Sequence, residues 1–289
     1  MMNPQRIGIL HPGEMGISIA ASAQSSGCEV YWVSKGRGRA TQERAAKFGL
    51  HDAGTLVSLC AKSLIIISVC PPHAAEELAN EVVAAGFNGL YVDANAISPQ
   101  RTIKIGQTMS EAGVSFVDGG IIGFPVWKAG TTCLYLSGSR AVEVAACFSA
   151  GPLETKVIGT AIGKASALKM CYAANTKGTV ALLAAILATA ENLGVREELF
   201  QQWKRDDPNF PDQVLKRVQA NTAKAWRFAG EMEEISRTFS EAGVPGEFHA
   251  AAAMIYSRLA RFKDSRTPPT LEDILTALNE GVPTHETRS

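Results

Sequence analysis

Three groups of residues in this 289-residue chain have the types and spacing to do chemistry. The first is Ile7-Gly8-Ile9-Leu10-His11-Pro12-Gly13-Glu14-Met15-Gly16, an apolar strand-like run that enters a helix through a glycine-bearing turn. Gly13 lets the backbone approach a diphosphate, and Gly16 lets the helix close on the strand. The helix start at Glu14 and Met15 offers N–H groups and the positive end of a dipole to an anion. A tight strand–helix turn with no ligand is the plainer alternative. His11 precedes Pro12, which lacks an N–H and biases His11 toward extended backbone, so the turn is expected to differ locally, with His11 a structural turn residue. The second group, Ser34-Lys35-Gly36-Arg37-Gly38-Arg39, follows a second strand-like run. It sets three cations and a hydroxyl where a phosphate monoester is matched well by a planar guanidinium; the alternative is a solvated basic loop. The third is Lys169, on an otherwise apolar helix face, with Tyr172 and Thr176 three and seven residues on and so on the same face. Desolvation favours the neutral amine and brings a lysine toward the range of a general acid–base group, whereas a snorkelling lysine would be inert. Lys177 lies obliquely on that side and is equally readable as an anion ligand or a solvated cation.

Elements that would position these groups follow from periodicity. Strands are expected at residues 6–10, 29–33, 63–70, 89–93, 114–118 and 132–137, with alanine-rich helices at 16–25, 40–48 and 73–85 between them. Strand–helix alternation with short buried strands predicts an α/β fold, a doubly wound parallel sheet of Rossmann type over residues 1–162. From Gly163 the pattern is helical only, giving an all-α region over residues 163–289. Residues 163–193 read as one interdomain helix about 45 Å long at about 1.5 Å per residue. Further helices are expected at 196–203, 211–234, 231–242 (continuous with the previous one or breaking from it near Gly230) and 247–262. After Pro268-Pro269, Thr270 caps a last helix at 271–278. Residues 283–289 are polar and expected to fray.

Composition excludes several function classes. Lysine plus arginine (28) balance aspartate plus glutamate (28), so no global charge draws the chain to nucleic acid or an acidic membrane. The six cysteines are scattered, with no CxxC pair and no histidine at ligand spacing, which predicts no metal and a reducing compartment. The first residues lack an apolar signal segment, and the apolar stretch 179–190 is too short to span a bilayer. A soluble, cytoplasmic protein is expected.

Taken together, the motifs resemble the β-hydroxyacid dehydrogenase and 6-phosphogluconate dehydrogenase superfamily over most of the chain. Ile7-Gly8 with Gly13-Glu14-Met15-Gly16 is similar to that superfamily's I-G-x-x-G-x-G-x-M-G hallmark, although its first fingerprint glycine is His11 here. Val69-Cys70-Pro71-Pro72-His73 is similar to a proline-containing loop flanking the nicotinamide ribose. Asp93-Ala94-Asn95-Ala96-Ile97-Ser98-Pro99 is similar to the D-x-S-T-x-x-P loop. Asp118-Gly119-Gly120-Ile121-Ile122-Gly123, with Ala129-Gly130-Thr131, is similar to the substrate loop. The stretch from Gly163 through Lys169 and Tyr172 to Gly178 is similar to the G-x-G-x-x-x-K-x-x-N-N helix. Residues 225–235 resemble a subgroup with a phosphogluconate-dehydrogenase-like C-terminal domain.

The resemblance implies hydride transfer between a nicotinamide and a carbon bearing oxygen, with Lys169 giving or taking the proton on that oxygen. Relatives that use NAD carry an acidic residue where this chain has Ser34, so NADP(H) is expected, held by Gly13, Glu14, Met15, Gly16, Ser34, Lys35, Arg37, Cys70, Pro71, Pro72 and Asn95. Tyr172 stands where relatives orient substrate with asparagine. Gly119, Gly120, Ile121, Ile122, Gly123, Thr176 and Glu231 are expected around the substrate, with Ile122 replacing a serine and the glycines offering backbone N–H groups. Trp127 either walls the pocket or simply packs. The expected substrate is a small alcohol or carbonyl compound of hydroxy-acid type. Reduction of a C=N bond, as in imine reductases of the same superfamily, and a non-catalytic nucleotide-binding scaffold are the alternatives. A homodimer through the helical region is implied as well.

Overall fold

The computed structural model describes residues 5–263, 265 and 267–280; the polar tail at 283–289 and the first four residues lie outside the described residues. Two compact units divide the chain, Met1–Tyr172 and Ala173–Ser289. The division falls inside the long helix, a few turns beyond the change of pattern at Gly163.

The first unit holds one eight-stranded sheet: β1 (Arg6–Ile9), β2 (Glu29–Trp32), β3 (His51–Asp52), β4 (Ile65–Ser68), β5 (Leu90–Asp93), β6 (Ser115–Gly123), β7 (Thr132–Ser137) and β8 (Glu154–Gly159). Their order is β3-β2-β1-β4-β5-β6-β7-β8. All pairs are parallel except β6 with β7. The order reverses between β1 and β4, the switch point at whose carboxyl ends doubly wound sheets bind ligands. Ile7, Ile9, Ile65, Ile66, Ile67, Leu90, Tyr91 and Val92 are buried, as befits parallel strands covered on both faces.

The six anticipated strands are present. Two more, β3 and β8, were not anticipated: β3 is two exposed residues, and β8 (Glu-Thr-Lys-Val-Ile-Gly) is an edge strand with an exposed polar start and no apolar run. Helices Leu56–Lys62, Pro99–Glu111 and Ala141–Ala146 were also unanticipated. Two of them carry start signals: Thr55 caps the Ser58 N–H, and Ser98 caps the Arg101 N–H ahead of Pro99.

Lys164–Asn192 is one continuous helix, regular to Ala173, widened into a π turn over Ala174–Gly178, and regular again over Thr179–Asn192. By length and composition it could cross a membrane, unlike the shorter apolar stretch read from sequence, but half of its apolar window is buried inside the protein, as in a core helix. The rest of the second unit is helical: Arg196–Asp206, Phe210–Thr222, Ala225–Glu241, Glu247–Leu259 and Leu271–Asn279. Of the two readings at Gly230 the helix is continuous there, and a break not anticipated falls at Ala223 and Lys224. Thr270 and Asp273 form the capping box of the last helix.

Candidate active site

The fingerprint turn joins β1 to helix Glu14–Ser25. A Cβ on Gly16 would stand 2.0 Å from the His11 carbonyl oxygen, so only glycine lets the helix return this closely. A Cβ on Gly13 would meet nothing within 4 Å, so that side of the turn is open. Gly13 is the N-cap and supplies no side-chain cap to the helix. An open glycine before an uncapped helix start fits a diphosphate.

Two arginines from the segment after β2 hold this turn. Arg37 donates from Nη2 to the Leu10 carbonyl (3.3 Å), and Arg44 from Nη1 to the Pro12 carbonyl (3.4 Å). Lys35 is exposed, and Ser34 and Arg37 are partly exposed. Burial and the Arg37 charge lower the His11 imidazole to about 4, so His11 is neutral near pH 7.

Cys70, Pro71 and Pro72 form the loop beyond β4. Asn95 secures that loop: its Oδ1 accepts from the Cys70 N–H (2.6 Å), and its Nδ2 donates to Ser68 Oγ (3.1 Å). At 3 % exposure Asn95 is buried, and its side-chain amide anchors this loop. Burial pushes the Cys70 thiol up to about 12 and keeps it protonated.

The stretch anticipated as a substrate loop is strand. Residues 119–123 are the second half of β6, paired with residues 132–136 of β7. Pairing of β6 with β5 stops at Asp118, so this half is held on the β7 side of the ladder. Alternation along a strand separates the faces of neighbouring residues. A Cβ on Gly119 would lie 3.2 Å from the Asp93 carbonyl, whereas one on Gly120 would lie 2.5 Å from the Ala165 carbonyl and 3.2 Å from Lys169 Cβ. Gly120 is therefore the contact that seats the lysine helix on the sheet. Ile121 is buried, Ile122 partly buried, and Gly123 exposed at φ 134°.

Asp118 fixes the start of that helix, a role the sequence reading did not give it. Its Oδ2 accepts from the N–H groups of Gly163, Ala165 and Ser166 (2.9, 2.9 and 3.1 Å) and from Ser137 Oγ (3.0 Å). Its Oδ1 accepts from Ser166 Oγ (2.6 Å). One buried carboxylate thus satisfies several N–H groups that a helix start leaves over. Burial raises its pKa even against these donors. A capping aspartate far away in sequence carries no local motif; the only hint was its place in a glycine-rich run. Asp93, opposite Asp118 in register, is also buried, and its carboxyl is pushed up to about 7 by burial first and by Asp118 second.

Anchored at its start by Asp118 and against Gly120 along its side, the helix presents Lys169 half-buried and Tyr172 48 % exposed. Thr176 and Lys177 belong to the π turn, so the seven- and eight-residue spacings from Lys169 do not carry the phase of a regular helix. Within the second unit, Lys177 forms an ion pair with Glu231, both side chains mostly buried, and its ammonium lies 4.8 Å from the Phe228 ring centroid. Tyr256 donates to the Lys177 carbonyl (2.8 Å). The Lys177 charge is thus matched inside the protein by Glu231, the carboxylate the sequence offered separately as a substrate contact. Trp127 is 54 % exposed and stacks on Phe48 at 5.2 Å.

Known proteins share this architecture. Residues 6–147 match the NAD binding domain of 6-phosphogluconate dehydrogenase, and residues 190–259 match the domain of unknown function DUF1932. An uncharacterized 28.5 kDa protein in the 7S RNA 5′ region of Methanothermus fervidus is 31 % identical over 234 residues, covering 80 % of this chain and 90 % of the relative. A conserved protein of unknown function, described as structurally similar to 3-hydroxyacid dehydrogenases, superposes with TM-score 0.65 at 27 % identity, covering 89 % of this chain and 97 % of the other. The 3-hydroxyisobutyrate dehydrogenase of Mycobacterium tuberculosis, solved with L-serine, gives 0.68 at 17 % identity, covering 95 % and 99 %. An imine reductase from Myxococcus stipitatus, solved with NAD+, shares the fold at 0.53 and 21 %, covering 96 % and 99 %. With its Rossmann sheet, glycine-bearing turn and helical C-terminal region, the chain belongs to the 3-hydroxyacid dehydrogenase and 6-phosphogluconate dehydrogenase superfamily, as a dinucleotide-binding oxidoreductase.

Proposed function

We propose that the protein is an NADP(H)-dependent dehydrogenase or reductase acting on a small alcohol or carbonyl substrate of hydroxy-acid type, with Lys169 as its general acid–base. The observation that carries this reading is the seating of the lysine helix on Gly120, which puts Lys169 against the carboxyl-terminal half of β6, the end of the sheet where such folds bind ligands. The open Gly13 and the uncapped helix start would hold the diphosphate, and Ser34, Lys35 and Arg37 the phosphate that distinguishes NADP from NAD. Cys70, Pro71 and Pro72 would flank the nicotinamide ribose, held in place by Asn95.

A bound nicotinamide supplies or accepts the hydride. Lys169 holds the proton for the substrate oxygen: the ammonium donates as a carbonyl is reduced, and the amine accepts as an alcohol is oxidised. Tyr172, three residues on, offers a phenol to orient the substrate. The glycines of β6, paired to β7, leave the β5 side of that strand to meet a substrate anion.

Purified Lys169→Ala protein, assayed against a panel of hydroxy acids and their keto forms, is expected to lose about 10²–10⁴-fold in kcat. Its NADPH affinity, read by fluorescence titration, should stay within about threefold of wild type. Turnover surviving the substitution would refute the assignment. A C=N substrate is the second reading, favoured by the fold shared with the imine reductase, and cyclic imines in the same panel separate the two. We further propose a cytoplasmic homodimer formed through the helical unit, where Leu182, Val244, Phe248 and Met254 are exposed apolar side chains. A monomeric mass at micromolar concentration would contradict it.

A further inference from the structure

His11 departs most from the fingerprint, and its surroundings are built rather than vacant. The imidazole follows β1 at its carboxyl end, and Arg37, from the segment after β2, reaches back to the carbonyl of the residue before it. His11 Nδ1 and Arg37 Nε are both shut from solvent and neither has a hydrogen-bond partner. Leaving a buried polar group unsatisfied is destabilising. Two such nitrogens, one beside a cation, call for an acceptor-rich anion.

We propose that His11 and Arg37 together recognise the 2′-phosphate of NADP(H), with His11 taking up a proton from the buffer as the phosphate binds, so that His11 is a specificity-determining residue. This rests on the NADP(H) reading given above. The phosphate reaches the two nitrogens when Arg37 leaves the Leu10 carbonyl, a long contact at 3.3 Å that a charge-assisted bond to phosphate replaces with gain. Phosphate oxygens then accept from Arg37 Nε–H and from the protonated imidazole, and both nitrogens acquire partners.

The electrostatics agree with a site waiting for an anion. Burial and the Arg37 charge hold His11 neutral when no phosphate is present. Burial lowers the pKa of the Arg37 guanidinium, and the Glu81 carboxylate of helix Ala75–Ala84 opposes that shift. Arg44, bonded to the Pro12 carbonyl, adds a second cation on the same turn. An arriving dianion reverses the balance at His11, favouring imidazolium.

Calorimetric titration of NADPH and of NADH, in two buffers of different ionisation enthalpy near pH 6.5, reads the proton directly. Wild type is expected to take up about half a proton or more with NADPH beyond what His11→Asn takes up, and to show no such excess with NADH. His11→Asn should weaken NADPH about tenfold, equivalent to about 1.4 kcal/mol, and leave NADH unchanged. An equal loss for both nucleotides, or the same proton uptake in the variant, overturns the proposal. Wild-type protein that binds NADPH no tighter than NADH overturns the NADP(H) reading and this inference with it. If His11→Asn does not fold, NMR of the wild-type imidazole decides: its resonances move to the imidazolium position on adding NADPH but not NADH, and resonances that stay neutral refute the proposal.

Discussion

Replacing Asp93 by asparagine is expected to stabilise the protein at neutral pH and to change how its stability depends on pH. Asp93 is 1 % exposed; its Oδ1 accepts from the Asn95 N–H at 2.9 Å, and its Oδ2 is buried with no partner. Burial, with Asp118 alongside, raises its pKa from 3.8 to about 7. Between those values the unfolded chain has released a proton that the folded chain still holds. Stability from this group is therefore highest below about pH 4 and falls as pH rises, by about 1.4 kcal/mol per unit. The loss is complete at about pH 7, having reached about 4 kcal/mol, and is constant above that. Asparagine has the same shape, keeps an acceptor for Asn95 and does not ionise. Urea unfolding of both proteins across this range should show no difference near pH 4, a variant advantage growing by about 1.4 kcal/mol per unit, and a plateau of about 4 kcal/mol above pH 7. Parallel stability curves would refute the reasoning, since they would mean that the carboxyl ionises as easily folded as unfolded.

Two further substitutions probe the positioning of the site. Gly120→Ala drives a methyl into the Ala165 carbonyl, which a backbone atom cannot dodge, so the lysine helix must lift; kcat should fall about 100-fold while the NADPH dissociation constant changes less than about threefold, and an unchanged kcat would show that the seating is unimportant. In the second unit, Lys177→Met and Glu231→Gln should each destabilise by about 3–5 kcal/mol by stranding the partner's charge, with the double variant well short of their sum. Additive losses in chemical denaturation would mean that the two do not act as a pair.

Local chemistry told most of the fold and less of the site. The strands at the centre of the sheet were legible because each is a short run buried on both faces, such as Ile65–Ser68, bounded by polar turns. The edge strand Glu154–Gly159 was not, because a half-exposed strand with charged residues has no apolar run to reveal it. Gly16 was placed correctly by the demands of a close strand–helix return. Residues 119–123 were misread as loop because glycine-rich sequence suggests freedom, whereas here Gly120 is small in order to admit a helix. Asp118 was passed over as a site residue because its five donors come from residues 137 to 166, contacts that only tertiary structure creates. The hydrogen bonds of Asn95 to Cys70 and Ser68 were not legible, since spacing along a chain does not say which way an amide turns.

The continuity of helix Lys164–Asn192 ties the proposed general acid–base to cooperative folding. A fragment ending at Tyr172 would keep the whole nucleotide sheet and the Asp118 and Gly120 anchors, yet its terminal helix would be cut back to Lys164–Tyr172, and helix ends fray. Lys169 would sit in the last, fraying turn of that stub. The turns beyond the cut would thus keep Lys169 away from a helix end, so the sheet-bearing segment alone would hold the proposed general acid–base less firmly than the uncut helix does.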